Sequence, residues 1–188
     1  MAAVAAGRRP PEAKDYILLA LAATLAAAAV VTVVFVVLSP ARVVFSVTSA
    51  ASHPSSDGGL VLDLTIAAAN PSRRAAVRYQ SMFVDVSNNT GPKWTNWVRA
   101  NVTAAAALPL LQPTRNVTEI NATVALVGGP WADGFTGKKT SHGFGVLVTT
   151  MARFKVGASL TRLYDIKVFC GPVDFFAKRS GTANCTAA

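Results

Sequence analysis

The sequence predicts a mainly β protein: an antiparallel β-sandwich ectodomain of the immunoglobulin or fibronectin-III-like kind, preceded by one transmembrane α-helix. The first observation is an N-terminal run, Tyr16–Leu38, that contains no charge, proline or glycine. The second is the period-two alternation of apolar and polar residues that follows it, which is typical of half-buried strands. The third is the set of Gly- and Pro-rich breakers between these segments, with no strong amphipathic helix among them.

Composition supports a membrane protein. The chain has 188 residues, of which 52% are hydrophobic and only 14% charged, with a net charge of +9. Its mean hydropathy is +0.39, which is high for a soluble domain. The basic residues are scattered along the sequence, and no groove-reading helix or aromatic stacking motif accompanies them. We therefore predict no nucleic-acid partner and interpret the cations as a solvated, slightly basic surface.

The apolar run is long enough to cross a bilayer. Its 23 residues, counted from Tyr16 to Leu38, would span about 34 Å as a helix, against a hydrocarbon core of about 30 Å. Thr24 and Thr32 can donate their hydroxyls to the helix backbone, and Ser39-Pro40 should end the helix. A cleaved signal peptide has a shorter apolar region, and a buried core helix needs a polar stripe or a large surrounding protein. We predict a permanent span.

The flanking charges predict the orientation. Arg8, Arg9 and Lys14 precede the span, whereas only Arg42 follows it closely. The positive-inside rule therefore predicts a cytosolic tail over residues 1–15, a signal-anchor span over 16–38 and an extracellular or lumenal domain over 39–188. Sugar-acceptor triplets agree with this orientation, because all five lie after the span: Asn88, Asn101, Asn116, Asn121 and Asn184. Asn70 precedes proline and does not count.

The chain has two cysteines, Cys170 and Cys185. In an oxidising compartment they can form a disulfide that would fasten the C-terminal segment to the preceding strand. Two free thiols in a cytosolic domain are the first alternative. Prenylation is the second, because the chain ends in CTAA, although Thr and Ala suit the aliphatic positions poorly. A zinc site would need further clustered ligands.

Six segments carry the strand pattern. In GLVLDLTIAAAN, Leu60, Leu62, Leu64 and Ile66 alternate with polar or smaller residues. TEINATVALV places Asn121 on the wet face, and YDIKVFC sends Tyr164 and Cys170 to the same face. The others are ARVVFSVTSA, VRYQSMFVDV and GFGVLVTTMARF. We therefore expect six or seven strands over about 150 residues, which is a usual size for a sandwich.

No motif in the sequence indicates catalysis. The two histidines, His53 and His142, have no Cys nucleophile or Gly-x-Ser-x-Gly elbow nearby. No phosphate-cradling loop, dinucleotide fingerprint or His-Glu-x-x-His is present, and the nine carboxylates are dispersed. We expect a non-enzymatic protein with no cofactor and no metal.

Three stretches resemble one family. ANPSRRAAVRYQSMFVDV is similar to the Asn-Pro-Asn-x-Arg…Tyr signature of the late embryogenesis abundant group 2 family. LPLLQPTRNVTEINATVAL and GFGVLVTTMARFKVG…YDIKVFC resemble its later blocks. The resemblance is closest to the plant harpin-induced-like and non-race-specific-disease-resistance-like membrane proteins, although Ser72 replaces an Asn and an Asn-Gly-Asp triplet is absent. The matching residues are Asn70, Pro71, Arg73, Tyr79, Arg153, Phe154, Lys155 and Gly157.

The resemblance implies a single-pass plasma-membrane glycoprotein that acts in plant defence response or stress response. Its role would be non-enzymatic interaction or signalling, through other membrane proteins or self-association. Two alternatives remain: a membrane–cell-wall or membrane–membrane tether that binds acidic cell-wall polysaccharide or anionic lipid, and a desiccation protectant.

The Asn-Pro motif also has a purely structural interpretation. Asn70-Pro71 favours a turn, which the Asn70 side chain can fix by bonding to nearby backbone. Arg73 and Arg74 would then be exposed, and Val77 and Tyr79 would re-enter the core.

Overall fold

The computed structural model describes residues 13–38, 42–56, 58–88, 97–103, 108–126, 143–177 and 182–188. The chain forms two compact units, Met1–Pro40 and Ala41–Ala188. The first unit contains the helix and the second contains the strands, so we call the second the β unit.

The N-terminal unit contains one helix, α1, Ala13–Leu38. It begins three residues before the predicted span. Its segment Ala13–Thr32 is long and apolar enough to cross a membrane, with a mean hydropathy of 1.9 and no burial. Thr24 Oγ1 donates to the Leu21 carbonyl at 2.8 Å and Thr32 Oγ1 to the Ala28 carbonyl at 2.7 Å, as expected for hydroxyls in an apolar helix. Length and composition suit a membrane anchor or a signal sequence, and Ser39-Pro40 lies outside the described residues.

The β unit contains eleven strands in the described ranges. The long ones are β1 (Val44–Pro54), β2 (Leu60–Asn70), β3 (Ala75–Ser87), β7 (Asn116–Leu126), β8 (Phe144–Val156) and β10 (Tyr164–Val173). The short ones are β4 (Trp97–Arg99), β5 (Asn101–Thr103), β6 (Leu110–Gln112), β9 (Ser159–Leu160) and β11 (Ala183–Ala187). The six long strands confirm the six predicted segments. The short strands have too few residues to show an alternation, which is why the sequence did not predict them.

All strand pairs in the described residues are antiparallel, which confirms the predicted fold class. One sheet contains β1, β2, β5 and β7, and the other contains β3, β4, β6, β8, β9 and β10. At one edge β11 pairs with both β10 and β1, joining the two sheets. At the other edge the chain passes from β4 directly to β5, and the Ala100 N–H donates to the Val84 carbonyl at 2.8 Å. The sandwich is therefore nearly closed into a barrel.

The predicted alternation is seen in the burial of each long strand. In β2 the side chains of Leu62, Leu64 and Ile66 are buried, and in β7 those of Ile120 and Val124 are buried. Their neighbours Asp63, Thr65 and Asn121 lie on the outer surface. Because the inward residues of both sheets pack against each other, one hydrophobic core fills the β unit.

Candidate functional site

The two cysteines form the predicted disulfide. Cys170 on β10 lies directly opposite Cys185 on β11, and no free cysteine remains. Cys170 is fully buried, whereas Cys185 is half-buried. The bond fastens β11 to β10, and β11 also pairs with β1. The disulfide therefore stabilises the strand that joins the two sheets.

Three of the five sugar-acceptor asparagines lie on the outer surface of the β1–β2–β7–β5 sheet. Asn101 on β5 is opposite Thr123, and Asn121 on β7 is opposite Thr103, so the two triplets pair with each other. Asn184 lies opposite Ser46. All three are exposed, as is Asn116 at the start of β7, whereas Asn88 after β3 is half-buried. The fold thus leaves four acceptors accessible, and the exposure predicted for Asn121 is confirmed.

Asn70 fixes the turn between β2 and β3. Its side chain is 1% exposed, and its amide nitrogen donates to the carbonyls of Ala75 at 2.9 Å and Pro113 at 3.0 Å. Its amide oxygen accepts from the Ser72 N–H at 3.1 Å. Asn70 therefore holds two loops together, and the structural interpretation of the motif accounts for it. Arg73 and Arg74 are exposed, and Val77 and Tyr79 are buried, as predicted.

A second buried polar group lies beside Asn70. The Tyr79 hydroxyl donates to Gln112 Oε1 at 2.7 Å. The Gln112 amide nitrogen donates to the carbonyls of Ala68 at 2.7 Å and Asn116 at 2.9 Å. Neither Tyr79 nor Gln112 is exposed, and burial raises the pKa of the Tyr79 phenol. The only sequence signal for Gln112 was its place in a stretch of family resemblance, because a short strand shows no alternation.

The fold brings the two resembling motifs together. Strand register places Ala75 opposite Val156, Val77 opposite Phe154 and Arg78 opposite Arg153. Phe154 is buried, Arg153 is half-buried and Lys155 is exposed. Gly157 makes the β8–β9 turn with a φ of 59°, a conformation that favours glycine. Residues about 80 positions apart in sequence thus form one end of the β unit.

Basic side chains collect at this end. It contains the starts of β1, β3, β7 and β10 and the ends of β2 and β8. We name it the cationic end, and its eight cations are Arg42, Arg73, Arg74, Arg78, Arg115, Arg153, Lys155 and Arg162. The two carboxylates nearest to it in register are Glu119 and Asp165, and Asp165 already lies 3.5 Å from Lys167.

The cations of this end have no acidic partner in the part of the chain that the structure describes. Among the described residues, none of the eight forms an ion pair. Arg78 and Arg153 lie directly opposite each other on neighbouring strands, where like charges are unfavourable. The Arg153 Nε is buried and has no hydrogen-bond acceptor in the described part of the chain. The exposed guanidinium groups of this end are therefore left without a carboxylate partner among the described residues.

Exposed aliphatic side chains share the same end. Val44 and Val117 flank Ala69 on one outer face. Leu111 lies beside Arg78, and Leu160 lies beside Lys155. We name the following group the aliphatic rim, whose members are each 40–60% exposed: Val44, Leu111, Val117, Leu160 and Leu163. The surface is therefore both basic and apolar.

The described residues contain no group of three or more His, Cys, Asp or Glu that could hold a metal ion. His53 lies on the outer surface, with its Nδ1 3.0 Å from Asp63 Oδ2. His142 lies outside the described residues.

Comparisons with known proteins do not assign this chain to a family. No protein-family model, curated protein or solved structure matches this chain. The function must therefore be argued from the helix, the disulfide, the acceptor asparagines and the cationic end.

Proposed function

We propose that the chain is a single-pass plasma-membrane protein whose β unit lies outside the cytosol and acts as a non-enzymatic interaction module. The observation that carries this proposal is the Cys170–Cys185 disulfide in a unit that follows an apolar helix. Disulfides persist in the secretory lumen and outside the cell and are rare in the cytosol. The exposed acceptors Asn101, Asn116, Asn121 and Asn184 support the same side of the membrane.

The interaction role is supported by the surface of the β unit. The chain presents exposed cations and aliphatic side chains on a disulfide-closed scaffold, and such surfaces suit partner binding more than catalysis. The resemblance to harpin-induced-like proteins of the late embryogenesis abundant group 2 family supports a role in plant defence or stress response. On this proposal, signalling passes through partner proteins or self-association.

Glycan removal tests the side of the membrane. Full-length protein in sealed microsomes should lose mass when N-linked glycans are cleaved, and protease added outside should spare the β unit. The matched control replaces all five acceptors, Asn88, Asn101, Asn116, Asn121 and Asn184, by Gln, and it should show no mass change. Digestion of the β unit in sealed vesicles would show that the β unit lies on the cytosolic side, and it would contradict the proposal.

Self-association can be tested with two differently tagged full-length copies. If the chain signals by association, one tagged copy should capture the other from detergent extracts of the same membrane. Mixing the extracts after solubilisation is the control, and it should give no capture. Capture that is equal in both cases would show association in detergent alone and would contradict the proposal.

The cationic end favours a second candidate, a tether that binds anionic material. Its eight cations have no ion pair among the described residues. An acidic polysaccharide outside the membrane and anionic lipid are the two ligands of suitable charge. Binding should weaken steeply with salt, because exposed charges are screened over about 8 Å at physiological ionic strength. Salt-insensitive binding would contradict this candidate.

A further inference from the structure

Three positive charges of the cationic end lie close together on one outer face. Arg78 and Arg153 face each other across β3 and β8, and Lys155 lies two residues along β8 on the same outer face. Residues at that spacing on one strand lie about 7 Å apart. The Arg153 Nε has lost its water without gaining an acceptor among the described residues. An anion with several negative oxygens would relieve the repulsion among three cations this close together.

The aliphatic rim indicates which class of anionic ligand this surface would bind. Leu111 and Leu160 are 52% and 46% exposed, and each pairs with a strand position that carries a cation, Arg78 or Lys155. A hydrated polysaccharide would leave these leucines in water. A phospholipid surface supplies phosphate oxygens for the guanidinium groups and an acyl boundary for the aliphatic groups. The combination therefore favours a membrane over a soluble polymer.

Chain connectivity points the same way. Strand β1 begins at Val44, six residues after α1 ends at Leu38. Val44 belongs to the aliphatic rim, and Arg42 belongs to the cationic end. The end of the β unit that carries the cations is therefore the end at which the chain enters it. Basic side chains next to a membrane helix lie within reach of headgroup phosphates, which both leaflets of a phospholipid bilayer carry.

We propose that the cationic end and the aliphatic rim dock onto a phospholipid bilayer, with Arg78, Arg153 and Lys155 binding headgroup phosphates. Leu160 and Leu111 reach the acyl boundary beside them. Docking fixes which surfaces of the β unit stay free, and it leaves Asn101 and Asn121, on the outer face of the other sheet, accessible to solvent. This inference rests on the membrane anchor of the proposed function, but not on the identity of any protein partner.

The test uses full-length protein in lipid nanodiscs. Tryptophan introduced by Leu160→Trp reports contact with lipid, because bromine on acyl chains quenches nearby indole emission. The matched probe is Ala51→Trp, at an exposed β1 position toward the opposite end of the β unit. The three native tryptophans provide the baseline from the unsubstituted chain. The bilayer is brominated phosphatidylcholine with about one third phosphatidylserine.

We expect brominated lipid to lower the added emission of Leu160→Trp by roughly half and to leave Ala51→Trp unchanged. Arg78→Gln, Arg153→Gln and Lys155→Gln together should restore the emission, since each cation near an anionic surface contributes roughly a fivefold preference. The charge control is Arg99→Gln, which removes an exposed cation at the opposite end and should leave the quenching unchanged.

Equal emission losses for Leu160→Trp and Ala51→Trp would overturn the docking proposal. So would retention of soluble polygalacturonate through the same three cations while the Leu160→Trp probe stays bright, because the site would then bind acidic polysaccharide. The proposed function fails differently. If the full chain does not co-elute with the nanodisc at all, the membrane anchor is absent, and both proposals are overturned together.

Discussion

The two ends of the β unit differ in whether their charged side chains have ion-pair partners among the described residues. Toward the end opposite the cationic one, carboxylates have partners: Arg99 Nε donates to Asp85 Oδ1 at 2.9 Å, and His53 Nδ1 lies 3.0 Å from Asp63 Oδ2. The hydrogen bond and charge of Asp85 raise the pKa of the Arg99 guanidinium. At the cationic end, eight basic groups have no described ion pair, and the polar groups that are satisfied lie inside.

This difference separates the polar groups that stabilise the fold from the exposed basic groups that have no ion pair among the described residues. The buried Asn70 and Gln112 amides are saturated with hydrogen bonds and hold the turns in place. The arginines exposed in those turns have no ion pair among the described residues, and Arg78 and Arg153 carry like charges directly opposite each other. The following predictions measure each half of that contrast.

The largest effect should come from Asn70→Ala. This change removes the donor for the carbonyls of Ala75 and Pro113 and the acceptor for the Ser72 N–H, all at a site that is 1% exposed. Each unsatisfied buried group costs about 1–3 kcal/mol, so we expect a loss of about 4 kcal/mol in unfolding free energy. The measurement is denaturant unfolding of the full chain in detergent.

Arg73→Ala is the matched control for Asn70→Ala. Arg73 is exposed in the same turn, and its truncation should change the unfolding free energy by less than about 0.5 kcal/mol. If both variants unfold at the same denaturant concentration, the Asn70 side chain does not hold the turns. The contrast between a saturated interior and an unpaired surface would then be lost.

The disulfide should give the next largest effect. Cys170 and Cys185 are 15 residues apart, and closing such a loop stabilises a fold by about 3 kcal/mol in the chain-entropy model. The double change Cys170→Ala and Cys185→Ala should lose about this amount, and both ends of the β unit should loosen together because β11 joins the sheets. Hydrogen exchange at β2 and β8 measures this loosening.

Reductant provides the control for the cysteine variant. It should lower the denaturation midpoint of the unsubstituted chain to that of the double variant and leave the variant unchanged. A midpoint of the unsubstituted chain that does not respond to reductant would show that β11 is held by its strand pairing alone.

The six long strands and the helix were predictable from local patterns. Alternation such as Leu62, Leu64, Ile66 against Asp63 and Thr65 shows which residues face the core, and each long strand has this pattern within its own sequence. Short strands such as β6 have too few residues to show the pattern. Pairing across 33 residues between Tyr79 and Gln112 is set by strand register, which a single sequence does not specify.

The cationic end shows the same limit for a candidate site. In sequence its cations are spread from Arg42 to Arg162, and their spacing indicates only a basic surface. Antiparallel register then places the start of β3 beside the end of β8 and brings Arg78 opposite Arg153. The Asn70 turn was predictable because its partners are local, whereas the clustering of charge depends on pairings between distant strands.

A smaller effect should come from Tyr79→Phe. Without its hydroxyl, Gln112 Oε1 loses a donor at 2.7 Å in a fully buried site, which should cost about 1–2 kcal/mol near neutral pH. Burial raises the pKa of Tyr79 above its ordinary value of 10.0. The folded chain therefore keeps this proton after the unfolded chain has lost it, and stability falls as the pH rises above 10, by about 1.4 kcal/mol per pH unit.

The pH dependence of Tyr79 can be isolated by difference. The stability gap between the unsubstituted chain and Tyr79→Phe should be constant below pH 10 and should shrink above it. Tyr164→Phe is the control, because that residue is half-buried and its hydroxyl has no hydrogen bond with the described chain, so its effect should stay near zero. A gap that does not shrink would show that Tyr79 reaches solvent in the folded chain.

The smallest expected effect is a change in unfolding free energy that should have opposite signs at the two ends of the β unit. Asp85→Asn, toward the paired end, should lower the denaturation midpoint, because Arg99 loses its carboxylate partner. Arg78→Gln, at the cationic end, should raise the unfolding free energy by about 0.3 kcal/mol, because Arg153 loses a like charge directly opposite. Both differences should shrink in high salt, since screening weakens attraction and repulsion alike.

The unsubstituted chain measured at the same two salt concentrations is the reference. If Arg78→Gln also destabilises the chain, the fold itself uses that arginine, and the cationic end would then be part of the scaffold rather than a surface kept free for an anion.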